Sequence, residues 1–243
     1  MRKILSIVLC AVAVSVFGDT ETQLGDEIGV TKVISKLANT VVAISYDDLA
    51  GGQGMVYSNL VKTTNLSIGD RLIEFRDGKY ISWVLAGEGN VKYWQKQQGV
   101  LKDSAGKDIT LDIPPADAVR GAVGTGIWLV RQNPTDDKGD AVPFYIYGKT
   151  VSSPTSAVTG ATWTLVGNPK QEAVDLNPAG KVEGAQTGDQ IVVVGEDGYP
   201  IYYMFKSGKG WQASVGGKVV LLPSIGAGLG LWILTAENAI IHW

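Results

Sequence analysis

The sequence predicts an all-β protein made of two duplicated antiparallel units, sandwich- or barrel-like, packed together. Three observations carry that prediction. Of 243 residues 31 are glycine, and valine, isoleucine and threonine are common while good helix formers are nowhere grouped for long. That is the profile of short strands and many turns. A glycine-tryptophan stretch occurs twice, as Gly124-Thr125-Gly126-Ile127-Trp128-Leu129-Val130 and Gly228-Leu229-Gly230-Leu231-Trp232-Ile233-Leu234. Finally, an offset of 119 residues carries Gly29-Val30-Thr31-Lys32-Val33 onto Gly148-Lys149-Thr150-Val151-Ser152, and Gly69-Asp70 onto Gly188-Asp189.

Each copy of the glycine-tryptophan stretch reads as a loop entering a strand. Glycine suits the entry because it reaches backbone angles closed to other residues and lets a neighbouring chain come close. On a strand, Gly126, Trp128 and Val130 share one face, and Ile127, Leu129 and Arg131 the other. Apolar side chains on both faces predict a central, buried strand.

The chain divides into a signal peptide over 1–18, a polar leader over 19–28, a first β unit over 29–147 and a second over 148–243. Arg2-Lys3 followed by the apolar run Ile4 to Phe17, with Val16 and Gly18 as small residues before the cleavage point, is the pattern of an exported chain. Cys10, the only cysteine, leaves with that segment, so the mature chain has no thiol for a disulfide, a metal or a nucleophile. The remaining 225 residues carry 19 basic and 24 acidic groups. No basic cluster points to nucleic acid, and no later stretch has the apolar length of a membrane helix. The expected destination is periplasm, outer surface or medium.

Taken in order, Val30–Ile34 is expected as a strand despite a locally helical spacing, because the repeat outweighs it. Val41–Tyr46 follows, with Thr162–Val166 as its counterpart ahead of the turn Gly167-Asn168-Pro169. Asp70–Phe75 and Tyr80–Leu85 flank Asp77-Gly78, a hairpin dipeptide. Gln190–Val194 and Ile201–Phe205 flank Asp197-Gly198-Tyr199-Pro200. An aromatic strand comes next in each unit, at Tyr93-Trp94 and Gly210-Trp211. A variable loop then runs from Leu101 to Arg120 in the first unit. Phe144–Tyr147 and Ala239–Trp243 close the units. Two tandem domains with an intimate junction are expected, since about 100 residues suffice for a β-sandwich. One shared sandwich is the alternative.

The exported leader, the Gly-Val-x-Lys-Val strand, Thr164-Leu165-Val166-Gly167-Asn168-Pro169, the Gly-Asp pairs, the tyrosine-rich hairpins and the Gly-x-Gly-x-Trp strands together resemble a family of uncharacterised secreted all-β proteins of Gram-negative bacteria, often present as many paralogues in one genome. The resemblance spans nearly the whole mature chain and implies export and a β fold. It implies no activity. The first-unit counterpart, ending at Tyr46-Asp47-Asp48, lacks the Asn-Pro.

Candidate chemistry is sparse. His242 is the only histidine, which excludes a histidine triad or a multi-histidine metal site within one chain. Asp70 and Asp189 recur, as do Asp77 and Asp197, and recurrence fits turn chemistry better than the paired carboxylates of a glycan hydrolase. Asn133, Asp136, Asp137 and Asp140 offer oxygens for Ca²⁺, but Lys138 interrupts them and a solvated hairpin tip is expected. No phosphate loop, zinc spacing or dinucleotide fingerprint occurs, and no cofactor or metal is expected.

The aromatics are the remaining candidates. Tyr80, Tyr93, Trp94, Tyr199, Tyr202 and Trp211 are the expected ligand-binding set, since flat exposed rings suit sugar faces. Ile81, Trp83 and Leu85, with Ile201, Tyr203 and Phe205, read as core, which leaves Tyr80 and Tyr202 best placed for exposure. The expected function is a non-enzymatic exported β-repeat protein, a surface, matrix or interaction module. The alternative is carbohydrate binding, and a hydrolase with an Asp/Glu pair ranks below both. Expected partners are a glycan or an envelope or surface protein, with self-association through Ala239–Trp243 if that segment is an edge strand.

Overall fold

The structure, a computed structural model, describes residues 28–76, 79–88, 91–97, 100–102, 108–110, 114–195 and 197–243. The expected signal peptide, the leader up to residue 27 and the Asp77-Gly78 dipeptide lie outside the described residues. The N-terminal half contains β1 (Ile28–Val33), β2 (Asn39–Ala43), β3 (Met55–Val56), β4 (Arg71–Arg76), β5 (Lys79–Glu88), β6 (Val91–Lys96), β7 (Val100–Lys102), β8 (Asp108–Thr110), β9 (Arg120–Gly121), β10 (Gly126–Val130) and β11 (Phe144–Lys149). The C-terminal half contains β12 (Thr155–Val158), β13 (Thr164–Gly167), β14 (Val182–Glu183), β15 (Gln190–Val194), β16 (Pro200–Lys206), β17 (Gly210–Val215), β18 (Lys218–Leu221), β19 (Gly230–Leu234) and β20 (Ala239–His242).

Alternating side chains turn these strands into layers. In the first half, the five-stranded sheet β2-β10-β4-β5-β6 faces the ribbon β1-β11. Between them lie Val42, Leu72, Trp83, Leu85, Ile127 and Leu129 from the sheet, and Val33, Phe144 and Ile146 from the ribbon. In the second half, the six-stranded sheet β13-β19-β15-β16-β17-β18 faces β12-β20-β14. Val166, Ile191, Tyr203, Trp211, Leu231 and Ile233 meet Val158, Val182, Ala239 and Ile241 there. Every described pairing is antiparallel, and each sheet is an open array. The halves are therefore layered, and the barrel-like alternative does not describe them. Each fully buried large apolar side chain contributes about 1.5–3 kcal/mol to this arrangement.

The connection order of the first five strands is the same in both large sheets. β1 pairs with the closing strand β11 as β12 pairs with β20. The segment that the offset matches to β1 forms no strand of its own: Gly148 and Lys149 end β11, and Ser152 and Ser153 are bends. The expected boundary at 147/148 thus falls inside a strand. The loop expected from Leu101 to Arg120 instead contains the β7–β8 pairing and β9.

The halves meet through matched hydrogen bonds. Ala43 N–H donates to Gly228 O at 2.8 Å and Ile44 N–H to Thr125 O at 2.8 Å. Gly167 N–H donates to Gly124 O at 2.9 Å and Asn168 N–H to Leu229 O at 2.8 Å. Val42 bridges Leu229 as Thr125 bridges Val166. Each half thus pairs with itself and with the other in one repeated pattern, and Leu229 packs against both cores.

Glycine is required at this crossing. A Cβ on Gly167 would stand 2.5 Å from both Cα and Cβ of Ala43, and one on Gly230 would stand 2.5 Å from Cγ1 of Val41. Asn168 shows why, at this crossing, Asn-Pro stands in the second half and not in the first. Fully buried, it donates to Glu172 O and Ile225 O, each at 2.8 Å, and accepts the N–H of Lys170 at 3.0 Å. Its place in the first half is taken by Ile44, whose side chain lies in the apolar core.

Candidate binding surface

Strand register decides which side chains look away from the cores. Trp128 stands opposite Val41 and Ile73, Ile73 opposite Ser82, and Phe75 opposite Tyr80. These side chains share the outer face of the first sheet, because opposed residues in a ladder lie on one side. On the second sheet Trp232 stands opposite Leu165 and Val192, and Val192 opposite Tyr202. Val41, Leu165 and Val192 are buried yet belong to neither core. The outer faces therefore converge at the junction.

Aromatic rings line that convergence. Trp128 meets Trp232 edge-on at 5.7 Å and 78°, and Phe75 meets Trp232 at 5.1 Å and 74°. Tyr80 lies nearly parallel to Trp128 at 6.0 Å and 12°, with Phe75 5.0 Å from Tyr80. Edge-to-face and offset-stacked pairs are the favoured ring geometries, worth about 0.5–1.5 kcal/mol each beyond area burial. Tyr80 remains 54 % exposed, so the stack ends in a ring presented to solvent.

The six rings expected to bind ligand separate into two groups. Tyr80, Tyr93, Tyr199 and Tyr202 are exposed, Tyr199 most of all at 71 %. Trp94 and Trp211 are buried, the first in the N-terminal core and the second in the C-terminal core beside Phe205. The pleat separates them: Tyr93 and Trp94 are neighbours on β6 and point to opposite faces, so Trp94 is inside and is no part of an exposed binding set. Tyr202 and Tyr93 belong to different sheets, so the exposed tyrosines do not form one cluster. Tyr93 and Trp94 also border a groove of about 520 Å³ lined by Lys62, Thr63, Lys92 and Tyr147. The core assignments of Trp83, Leu85 and Tyr203 match their burial.

Asp70, Asp136, Asp189 and Asp197 accept main-chain N–H groups of their own turns and, for Asp70 and Asp189, of a neighbouring loop. Asp70 accepts the N–H of Ser67 at 2.9 Å and of Gln132 at 2.6 Å. Asp189 accepts those of Gln186 at 2.7 Å and Ala236 at 2.9 Å. Asp197 accepts the N–H of Tyr199 at 3.0 Å. Asp136 accepts those of Lys138 and Asp140, each at 2.9 Å, closing the hairpin tip that the Asn133–Asp140 spacing predicts. Among the described residues no group of three or more His, Cys, Asp and Glu is placed to hold a metal. His242 pairs with Glu183 at 3.0 Å on the surface. The C-terminal strand is not an edge: β20 lies between β12 and β14, and Trp243 is buried with its indole N–H on Ser156 Oγ at 2.5 Å.

Arg131 and Tyr46 are among the buried polar groups that the sequence does not announce. Burial pushes the guanidinium pKa of Arg131 down, while Asp70 opposes that shift; Val142 O accepts from it at 2.8 Å and Phe144 lies under it at 5.4 Å. Tyr46 shares a 2.7 Å hydrogen bond with Thr31, and burial raises its pKa above 10.0 against the hydrogen bonds from Thr31 and Gln171. A phenol whose folded pKa is raised contributes stability that is intact below the unfolded value, near 10, and lost as pH climbs through the folded one. Unfolding free energy is therefore expected to fall on the alkaline side of about pH 10. Tyr46→Phe should flatten that fall while costing about 1 kcal/mol at neutral pH for the lost hydrogen bond. Urea titrations at a series of alkaline pH values measure both. Equal slopes in the two proteins would remove Tyr46 as the cause.

Comparison with known proteins finds no matching family model, no matching curated protein and no matching solved structure.

Proposed function

We propose that this protein is exported and acts without catalysis, as a surface or matrix component that binds partners through the outward aromatic faces of its sheets. The observation that carries the reading is the Tyr80–Trp128 stack, a ring held flat at 6.0 Å and 12° yet open to solvent. A ring already ordered by its neighbours loses little side-chain entropy on binding. Export is supported by Arg2-Lys3, the apolar run Ile4 to Phe17 and the small residues Val16 and Gly18. The matched hydrogen bonds of the two halves support their origin by duplication of one unit.

The test begins with fractionation of the native host and N-terminal sequencing of the recovered chain, which should start at Asp19. Immobilised chain should then capture envelope or matrix material, and Tyr80→Ala with Tyr202→Ala should reduce capture at least about tenfold, the equivalent of 1.4 kcal/mol. An unprocessed N-terminus, or capture untouched by both substitutions, would overturn the reading.

The second reading is carbohydrate binding. It is favoured by the same stack, since a tyrosine backed by tryptophan offers an apolar plane with a hydroxyl at its rim, suited to the face of a sugar ring. A glycan array gives the decision: retention of one saccharide class, lost with Tyr80→Ala, supports it, and a blank array removes it.

A further inference from the structure

We propose that β18 is a self-association edge, along which two copies of the chain join antiparallel with Val219 of one copy opposite Leu221 of the other. The inference goes beyond the interaction-module reading and does not depend on it.

The main chain directs the contact. β18 opposes β17 with Gln212 facing Leu221, Ala213 facing Val220, Ser214 facing Val219 and Val215 facing Lys218. Leu222 N–H donates to Trp211 O at 3.0 Å. Antiparallel ladders alternate between residues that exchange hydrogen bonds across the pair and residues that do not. Lys218, Val220 and Leu222 therefore spend their main-chain groups on β17. Val219 and Leu221 aim theirs at the free side, where no strand pairs among the described residues.

The side chains agree with the main chain. Val219 and Leu221 are 69 % and 55 % exposed, on the outer face that also carries the exposed Tyr202 and Met204. A twofold axis through Val220, perpendicular to the sheet, keeps outward side chains outward in both copies. Val219 and Leu221 of each copy then exchange main-chain hydrogen bonds with Leu221 and Val219 of the other. Lys218 falls opposite Leu222 of the second copy, so no like charges meet. Moving the axis to Leu221 sets Val219 against Pro223, which has no N–H to donate. Moving it to Val219 sets Leu221 against Gly217 and loses the apolar pair. Lys218 and Pro223 bound the contact, and a twofold pairing uses up the edge, so the product is a closed dimer.

The opposite lateral strand lacks these properties. Gln97 N–H donates to Ser82 O at 3.1 Å, and with the β5–β6 register this turns the main chain of Lys92, Trp94 and Lys96 outward. A twofold pairing centred on Trp94 would set Lys92 against Lys96 of a second copy, a destabilising like-charge pair.

The test uses the full chain in sedimentation over a wide concentration range, with a monomer–dimer equilibrium expected. Leu221→Pro removes an N–H that serves only the second copy, and it should weaken the dimer at least about tenfold. Circular dichroism should be unchanged, and Val219→Lys serves as the second variant if the proline disturbs folding. In a Cys10→Ser background, Val220→Cys places a thiol against its own copy at the close, non-hydrogen-bonded position. Mild oxidation should link two chains there, while Ser207→Cys, an exposed turn residue, stays unlinked. A monomer at every concentration, a Leu221→Pro dimer as tight as the native one, or an unlinked Val220→Cys chain would each overturn the proposal.

Discussion

Replacing Gly167 with valine is expected to lower the unfolding free energy by about 3 kcal/mol or more, at the upper end of what overpacking costs. The reason is the crossing of the two halves. A Cβ at 167 would lie 2.5 Å from Ala43 Cα, and backbone cannot rotate away as a side-chain tip can. Relief requires β2 and β13 to separate, which breaks the bonds from Ala43 N–H to Gly228 O and from Gly167 N–H to Gly124 O. It also pulls Leu165 and Val41 off the glycines that receive them. For a chain of this size, 3 kcal/mol corresponds to a fall in melting temperature of about 6–12 °C. Gly180→Val is the control, since a Cβ there meets nothing within 4 Å and only the positive φ of 83° adds strain. Equal melting temperatures for Gly167→Val and the native chain would mean that the halves are not held at this crossing.

What could be read in advance follows from the range of the forces involved. Period-two alternation placed Ile81, Trp83 and Leu85 in the core and turned Tyr80 outward, because pleating is a local property of the strand. The same rule sends Tyr93 and Trp94 to opposite faces of β6, one of which is the core face. Trp211 stands opposite Phe205, a residue assigned to the core, and that pairing was the signal for its burial. Lateral position is different in kind. β20 lies between β12 and β14, and β14 is only two residues long, too short for periodicity to reveal. Gly148-Lys149-Thr150 resembles Gly29-Val30-Thr31 in composition, but Gly148 is held opposite Gly29 by β11 and starts no new strand. The junction depends on glycines from distant segments meeting one another, and no local pattern carries that. Its trace in the sequence was the glycine two residues before each repeated tryptophan.

Asp70→Ala is expected to destabilise the chain by about 3–4 kcal/mol, more than the matching change at Asp189. Each carboxylate is buried and closes the same clamp, from the turn before one strand to the residues after its neighbour. Hydrogen bonds to a charged group contribute about 1.5–3 kcal/mol each, and their removal leaves buried N–H groups unpaired. Asp70 has a further duty, because the buried Arg131 guanidinium is its electrostatic neighbour. Arg131 otherwise rests on the carbonyls of Val142, Asn65 and Asn133. In the second half the corresponding position is Thr235, which carries no charge. Deleting Asp70 therefore removes the nearby negative charge that favours the buried cation, and deleting Asp189 removes none of it. The excess cost at Asp70 should shrink in an Arg131→Met background, and a double-mutant cycle read by urea unfolding isolates that coupling. A coupling indistinguishable from zero would show that the two clamps are equivalent and that Arg131 is held by its carbonyls alone.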